Sequence, residues 1–314
     1  MLTYLLLFLG LVILLFGGKI LVDGASAIAL KIGMSAGVIG MTVVAFGTSA
    51  PELLVSVNAA LKGNSDISIG NVVGSNIANI GMVLGISGMF YPILIKKSVL
   101  RFDYLLTLLV TLAFYGLSYN GIISFWEGIG LFVFFIGFNA YLFKNSGQGA
   151  MVQEDEDIIN ELEGVKNYSW IVSISLLFGG ILGLYFGSEL LVENAVIISR
   201  EFGISERVIG VSIIAIGTSL PELITSIMAA LDKKTDLAIG NILGSNMMNI
   251  LSIIGLTAII KPIDISSEFL TSDYLWMIGF TLILLPLILR KMKISRVEGL
   301  ILFLGYITYM YFLL

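Results

Sequence analysis

The sequence predicts an all-α integral membrane protein. Ten transmembrane helices form two inverted five-helix repeats, and helices 2 and 7 are broken. Three observations carry this expectation. Of 314 residues, 57% are apolar and 12% charged, with a mean hydropathy of +1.01. A soluble domain carries about twice that share of charge. Apolar stretches of bilayer-spanning length fall at 2–24, 35–61, 67–92, 99–119, 122–144, 169–195, 206–231, 237–260, 271–290 and 297–314. Finally, residues 16–80 align without gaps with 186–250 at a constant offset of 170, and 21 of the 41 positions in 40–80 are identical to those in 210–250.

The first stretch reads as a span. It lacks the basic start and small-residue cleavage site of a secretory signal, and its apolar run is too long. Five spans per half is an odd number, so the second half enters the membrane from the opposite side. That is the inverted-repeat plan of secondary transporters, whose sites lie near the midplane between the repeats. The halves are 1–144, with the motif at 40–80, and 169–314, with the motif at 210–250. Between them, 145–168 is an acidic linker carrying Glu154, Asp155, Glu156, Asp157, Glu161 and Glu163. The loops after spans 1, 3, 5, 7 and 9 hold 12 Lys and Arg, against 4 on the other side. The positive-inside bias then puts the linker in the cytoplasm and both termini outside the cell.

The composition also excludes much. With no His and no Cys there is no usual zinc site, no disulfide, no iron–sulfur cluster and no His-based triad. A net charge of −5 without a basic patch gives nucleic acid nothing to bind. No nucleophile–base pair suggests an enzyme, and nothing indicates a cofactor or an obligate protein partner. The lipid bilayer is the expected surrounding.

Chemistry concentrates in two motifs. Gly47-Thr48-Ser49-Ala50-Pro51-Glu52 recurs as Gly217-Thr218-Ser219-Leu220-Pro221-Glu222 inside apolar spans. Proline lacks an N–H and clashes with the carbonyl four residues back, so Pro51 frees the Gly47 carbonyl and Pro221 that of Gly217. The break exposes carbonyls, hydroxyls and one carboxylate, which are hard donors suited to Na+ or Ca2+. A carboxylate at mid-bilayer costs several kcal/mol. Its symmetric recurrence as Glu52 and Glu222 marks a functional pair of charge −2. One Ca2+ neutralises that pair, and so do two Na+ or two protons; competition for one site is a route to exchange.

The second motif, Gly70-Asn71-Val72-Val73-Gly74-Ser75-Asn76-Ile77-Ala78-Asn79, recurs as Gly240-Asn241-Ile242-Leu243-Gly244-Ser245-Asn246-Met247-Met248-Asn249. Asn71, Ser75 and Asn79 share one helix face, and that face is expected to aim neutral oxygens at the same cavity. Asn76 and Asn246 read equally as ligands or as packing glue between helices. Lys19 and Asp23 in span 1, matched by Glu189 and Glu193 in span 6, read as side chains snorkelling to the headgroups, with a gating role as the alternative.

These motifs closely resemble the α-1 and α-2 repeats of the calcium/cation antiporter superfamily, most of all its sodium/calcium exchanger branch in a short prokaryotic form. The resemblance implies Ca2+ between Glu52 and Glu222, completed by the carbonyls of Thr48 and Thr218. It implies Na+ sites that use Ala45, Ser49, Ser75 and their mates Ala215, Ser219 and Ser245, with Asn79 and Asn249 lining the centre. It further implies electrogenic exchange of three Na+ for one Ca2+ by alternating access. Some relatives, including potassium-dependent exchangers, carry Asp where this chain has Asn249. That departure weakens a K+-coupled reading, because a third central carboxylate is missing. No Glu follows Asn71 or Asn241 in the manner of proton-coupled relatives, which weakens H+/Ca2+ antiport, the nearest alternative.

Overall fold

The computed structural model describes residues 2–145, 165, 167–202 and 215–313. The helices are α1 (Leu2–Ile32), α2 (Ala36–Thr48), α3 (Ala50–Leu61), α4 (Ser65–Phe90), α5 (Val99–Ser118), α6 (Phe125–Asn145), α7 (Trp170–Glu201), α8 (Ala215–Thr218), α9 (Leu220–Leu231), α10 (Thr235–Ile260), α11 (Phe269–Lys291) and α12 (Arg296–Leu313). Among the described residues, eight helices are long and apolar enough to span a membrane alone. The pair α2/α3 adds a ninth span bent by 48°. The protein is thus a multi-pass, almost wholly helical membrane protein. Residues 203–214, the first half of the expected seventh span, lie outside the described residues, and so do the linker acids.

Burial sorts the helices. The apolar windows of α4 and α10 are 83% and 89% buried, against 39% or less for the other single spans. The two helices that carry the second motif therefore form the centre, shielded from lipid by the rest. Outer helices expose Phe8, Phe16, Leu109, Trp126, Ile171, Phe178 and Leu304, as a hydrocarbon solvent permits. The described linker residues Val165 and Tyr168 pack on Ala27 and Leu30 of α1.

Spans 1 and 6 run further than the apolar pattern suggests, to Ile32 and Glu201. They cross with backbones nearly touching. A Cβ on Gly10 would stand 2.7 Å from the Leu191 nitrogen, on Gly17 2.8 Å from the Leu184 nitrogen, and on Gly24 2.5 Å from the Leu177 nitrogen. Gly180 and Gly187 meet Leu21 and Leu14 in the same way. Partner numbers fall as those of α1 rise, so the two helices are antiparallel. Glycines seven apart keep one smooth face along the crossing, as small residues do at membrane helix interfaces.

Short strands tie the halves together. β1 (Ile93–Leu94) pairs antiparallel with β4 (Lys293–Ile294), in the register Ile93↔Ile294 and Leu94↔Lys293. β2 (Ile122–Ile123) pairs with β3 (Ile263–Asp264), with Ile122 opposite Asp264 and Ile123 opposite Ile263. Serine–glutamate capping boxes start α6 and α12: Glu127 accepts from the Ser124 backbone at 2.7 Å, and Glu298 from that of Ser295 at 3.1 Å. Glu127 is thus a helix cap.

Among the described residues, five helices contain a π turn: Gly40–Val44, Asn79–Leu84, Val99–Tyr104, Asn249–Ile254 and Phe269–Asp273. Four of them are related in pairs by the 170-residue offset. No periodicity in the sequence signals them.

The glycine crossing yields a prediction. Gly17→Leu forces a side chain into backbone that cannot yield, and overpacking of this kind costs ~1–3 kcal/mol. A lower melting temperature in detergent, read by tryptophan fluorescence, is expected. Gly116→Ala, at a helical position with no described atom near the added methyl, should match or exceed the parent. Equal melting of the Gly17 variant and the parent would refute the close crossing.

Candidate functional site

The first motif forms the bend between α2 and α3 and its counterpart between α8 and α9. Ser49 (φ −86°, ψ 9°) and Ser219 (φ −88°, ψ 5°) leave the helical region, and Pro51 and Pro221 open the following helices near their first residue. Glu52 and Glu222 then stand in the first turn of α3 and α9, where the positive end of the helix dipole favours a carboxylate. Each is 1% exposed, and the two are close enough to interact electrostatically. Ser49 donates to the Glu222 Oε1 across the repeats at 2.8 Å. Thr218 flanks Glu52, while Thr48 and Ser245 flank Glu222. The Ser219 hydroxyl lies 3.5 Å from that of Ser75.

Unpartnered polar atoms collect here. Twelve buried side-chain nitrogens and oxygens make no hydrogen bond among the described residues, and seven belong to Glu52, Glu222, Asn79, Ser245 and Asn249. Both Glu52 oxygens, Glu222 Oε2 and the whole Asn79 amide are among them. A buried polar atom without a partner costs ~1–3 kcal/mol, more when charged. The set of carboxylate, amide and hydroxyl oxygens suits a hard cation, and a bound cation would satisfy these atoms together.

The second motif divides its labour. Ser75, Asn79, Ser245 and Asn249 are all buried; Ser245 flanks Glu222, and Ser75 lies beside Ser219. Asn79 and Asn249 stand where α-helix turns into π-helix, a local widening that often marks functional sites. Asn71 does not contribute its amide nitrogen to a cavity oxygen set. It donates to the Glu52 carbonyl at 3.1 Å and to Ser56 at 2.9 Å, bracing α3 against α4. Asn241 does the same for Ser226 at 3.1 Å and accepts from Thr48 at 3.3 Å. These two are positioning residues, because their side chains meet the neighbouring hairpin helix first.

Asn76 and Asn246 prove to be glue. Each donates to the other's backbone carbonyl, at 3.4 and 3.3 Å, and Asn249 donates to Asn76 at 3.0 Å. The two central helices are thereby joined at the middle of the site.

Two further expectations are corrected, that for the Gly217 carbonyl and that for Lys19 with Asp23. The Gly217 carbonyl freed by Pro221 does not point to a cation, because Ser188 of α7 donates to it at 2.8 Å. Ala45 is fully buried, and its carbonyl already accepts from the Ser49 backbone at 2.9 Å and from the Thr48 hydroxyl at 3.3 Å. Lys19 and Asp23 do not simply reach for headgroups: Lys19 binds Asp23 at 3.1 Å and Asp232, on the turn before α10, at 2.5 Å. Ala215 begins α8 at the edge of the described residues.

Two cavities approach the site from one end of the bundle. One of about 430 Å³ runs from Glu268, Asp273 and Tyr309 to Ser75 and Thr218. The other, about 190 Å³, lies between α3 and α7 and is lined by Pro51, Val55, Ser188, Glu189 and Thr218. The opposite end is closed by backbone. A Cβ on Gly40 would stand 2.6 Å from the Leu237 carbonyl oxygen, and one on Gly244 2.5 Å from the Met41 Cα.

Comparison with known proteins agrees with this geometry. A family model described as sodium/calcium exchanger protein matches residues 2–144 and 172–314. The chain belongs to the sodium/calcium exchanger family. It is 39% identical over 313 residues to the putative antiporter CaxA of Alkalimonas amylolytica, covering 97% of this chain and 96% of that one. It is 33% identical to the sodium/calcium exchanger MaX1 of Methanosarcina acetivorans, covering 98% and 97%. A structure of the sodium-calcium exchanger NCX_Mj, soaked without Na+ and Ca2+, superposes with a TM-score of 0.85 at 31% identity over 99% of both chains. The family is one of membrane antiporters, not enzymes.

The division of labour can be tested by thermal shift. A ligand that binds only the folded state stabilises it by about 2.7 kcal/mol at a hundredfold excess over its Kd. Ca2+ should raise the melting temperature of the purified protein, and Glu222→Gln should remove that rise. Asn241→Ala should weaken the rise without removing it. An undiminished Ca2+ shift in Glu222→Gln would refute the carboxylate pair as the site.

Proposed function

We propose that this protein exchanges Na+ for Ca2+ across the cell membrane by alternating access, with three Na+ moving against one Ca2+ and hence one net charge per cycle. The observation that carries the proposal is the buried Glu52/Glu222 pair with its unpartnered oxygens. Both ions are substrates of the same −2 site. Ca2+ would lie between the two carboxylates with the Thr48 and Thr218 carbonyls. Na+ would use Ser49, Ser75, Ala45 and their mates Ser219, Ser245 and Ala215. Asn79 and Asn249 would line the centre. Because Asn249 cannot ionise, the central charge stays at −2, which favours Na+/Ca2+ exchange without K+.

Alternating access follows from the inverted arrangement: ten spans in two halves, 1–144 and 169–314, joined by the linker 145–168. Two observations support inversion. The repeat-related helices α1 and α7 cross antiparallel. The strand pairing joins β1, after the third span, to β4, after the ninth, and such loops share a side only when the halves enter from opposite faces. The basic residues then place the linker inside and both termini outside. In this orientation the two cavities open outward and the inner end is sealed. Transport would exchange these states as α1 and α7 slide over the core as a pair, held to each other by their glycine crossing.

The deciding measurement is ⁴⁵Ca²⁺ uptake into proteoliposomes loaded with Na+ or with choline. Uptake should require internal Na+, carry net charge, and proceed without a K+ gradient. Glu52→Gln and Glu222→Gln should each abolish it. Equal uptake in the two loads would sink the proposal, and uptake driven by a pH gradient alone would turn it to H+/Ca2+ antiport.

A further inference from the structure

Lys19 and Asp23 of α1 face Asp232 and Lys234 on the turn between α9 and α10. The four charges alternate around a ring. Lys19 lies 3.1 Å from Asp23 and 2.5 Å from Asp232; Lys234 lies 3.2 Å from Asp23 and 3.6 Å from Asp232. The ring is neutral and only partly exposed. The Lys234 side chain is 8% accessible, and the two aspartates are 19% and 22% accessible. Its turn is held rigidly: Lys233 stands at φ 59°, and the Lys234 backbone donates to Ala229 at 2.8 Å. The ring thus fastens the α1/α7 pair to the core at the sealed end of the bundle.

The 170-residue offset maps Lys19 onto Glu189, Asp23 onto Glu193, Asp232 onto Lys62 and Lys234 onto Asn64. At the open end the central pair therefore recurs with its charges reversed, Glu189 for Lys19 and Lys62 for Asp232. Among the described residues Glu189, Glu193 and Lys62 make no ion pair. Glu189 instead lines the cavity beside Thr218.

We infer that these are two alternating latches. The Lys19–Asp232 ring holds the inner end shut in the outward-open state. Glu189 and Lys62 close the outer end when α1 and α7 slide, and the ring opens as they do. The inference rests on the alternating-access reading above. The two latches differ in strength. The inner latch is a ring of four charges; the outer has one cation against two acids, with Asn64 in place of a second lysine. At rest the protein is therefore biased toward facing out.

The chain has no cysteine, so Val55→Cys, which lines both outer cavities, gives a single thiol. Its labelling by a membrane-impermeant maleimide on intact cells reports the outward-open population. Lys19→Gln or Asp232→Asn should slow labelling about fivefold, which corresponds to ~1 kcal/mol in the equilibrium. Reversing all four charges together (Lys19→Glu, Asp23→Lys, Asp232→Lys and Lys234→Glu) keeps the alternation and should restore it to within about twofold. Lys62→Gln should act in the opposite sense and speed the return from the inward-open state, raising labelling in the presence of Na+. Unchanged labelling in Lys19→Gln, or failure of the fourfold reversal to restore a lost rate while Na+-driven uptake persists, would overturn the latch. Loss of Na+-driven uptake in Val55→Cys and parent alike would instead overturn the antiport reading on which it rests.

Discussion

Two carboxylates buried side by side in a bilayer are the constraint around which the rest of this protein is arranged. Neither Glu52 nor Glu222 has water to solvate it, and each repels the other. The chain meets this with fixed dipoles. Proline breaks place both acids in first turns of helices, where backbone N–H groups gather. Serine and threonine hydroxyls from the opposite repeat crowd around them. The compensation is incomplete by design, because several oxygens remain without a partner. An arrangement that were fully satisfied would have no affinity left for a cation.

The same constraint explains why the centre is rigid and the periphery smooth. The buried donors are held in place because α4 and α10 are tied to each other by the Asn76–Asn246 exchange of hydrogen bonds. Asn71 and Asn241 brace the broken helices against them. The α1/α7 pair is built differently. Its mutual contact is glycine on backbone, and among the described residues its polar ties to the core include the Ser188–Gly217 hydrogen bond and the charge ring at Asp232. Ile224, Ile181 and Val192 pack against Gly18, Gly47 and Gly217 across the same boundary.

Much of this was legible in the sequence because it rests on local rules. Hydropathy gave the spans, and proline after glycine and threonine gave the breaks. A repeated carboxylate in apolar surroundings marked the site. What failed did so for a common reason: the partner of a side chain is not a local property. Asn71 and Asn79 occupy one face of one helix, yet Asn71 is bonded to the neighbouring hairpin while the Asn79 amide is buried without a partner among the described residues. Lys19 looked like a snorkelling residue because Asp232, more than two hundred positions away, was invisible to a reading along the chain. The glycines spaced seven apart in α1 were a signal that could have been used, since their register matches that of Gly180 and Gly187.

By itself the sequence determined a membrane protein with a repeated motif that sets two acids and a group of hard oxygens in apolar surroundings, because burial cost and backbone chemistry are fixed by residue type. Only the tertiary structure decided which buried polar atoms are left without a partner among the described residues and which are spent on holding helices together. It alone decided that the charges of span 1 fasten it to the far repeat. Those outcomes depend on distances between segments brought together by folding, and no pattern along a single chain carries them.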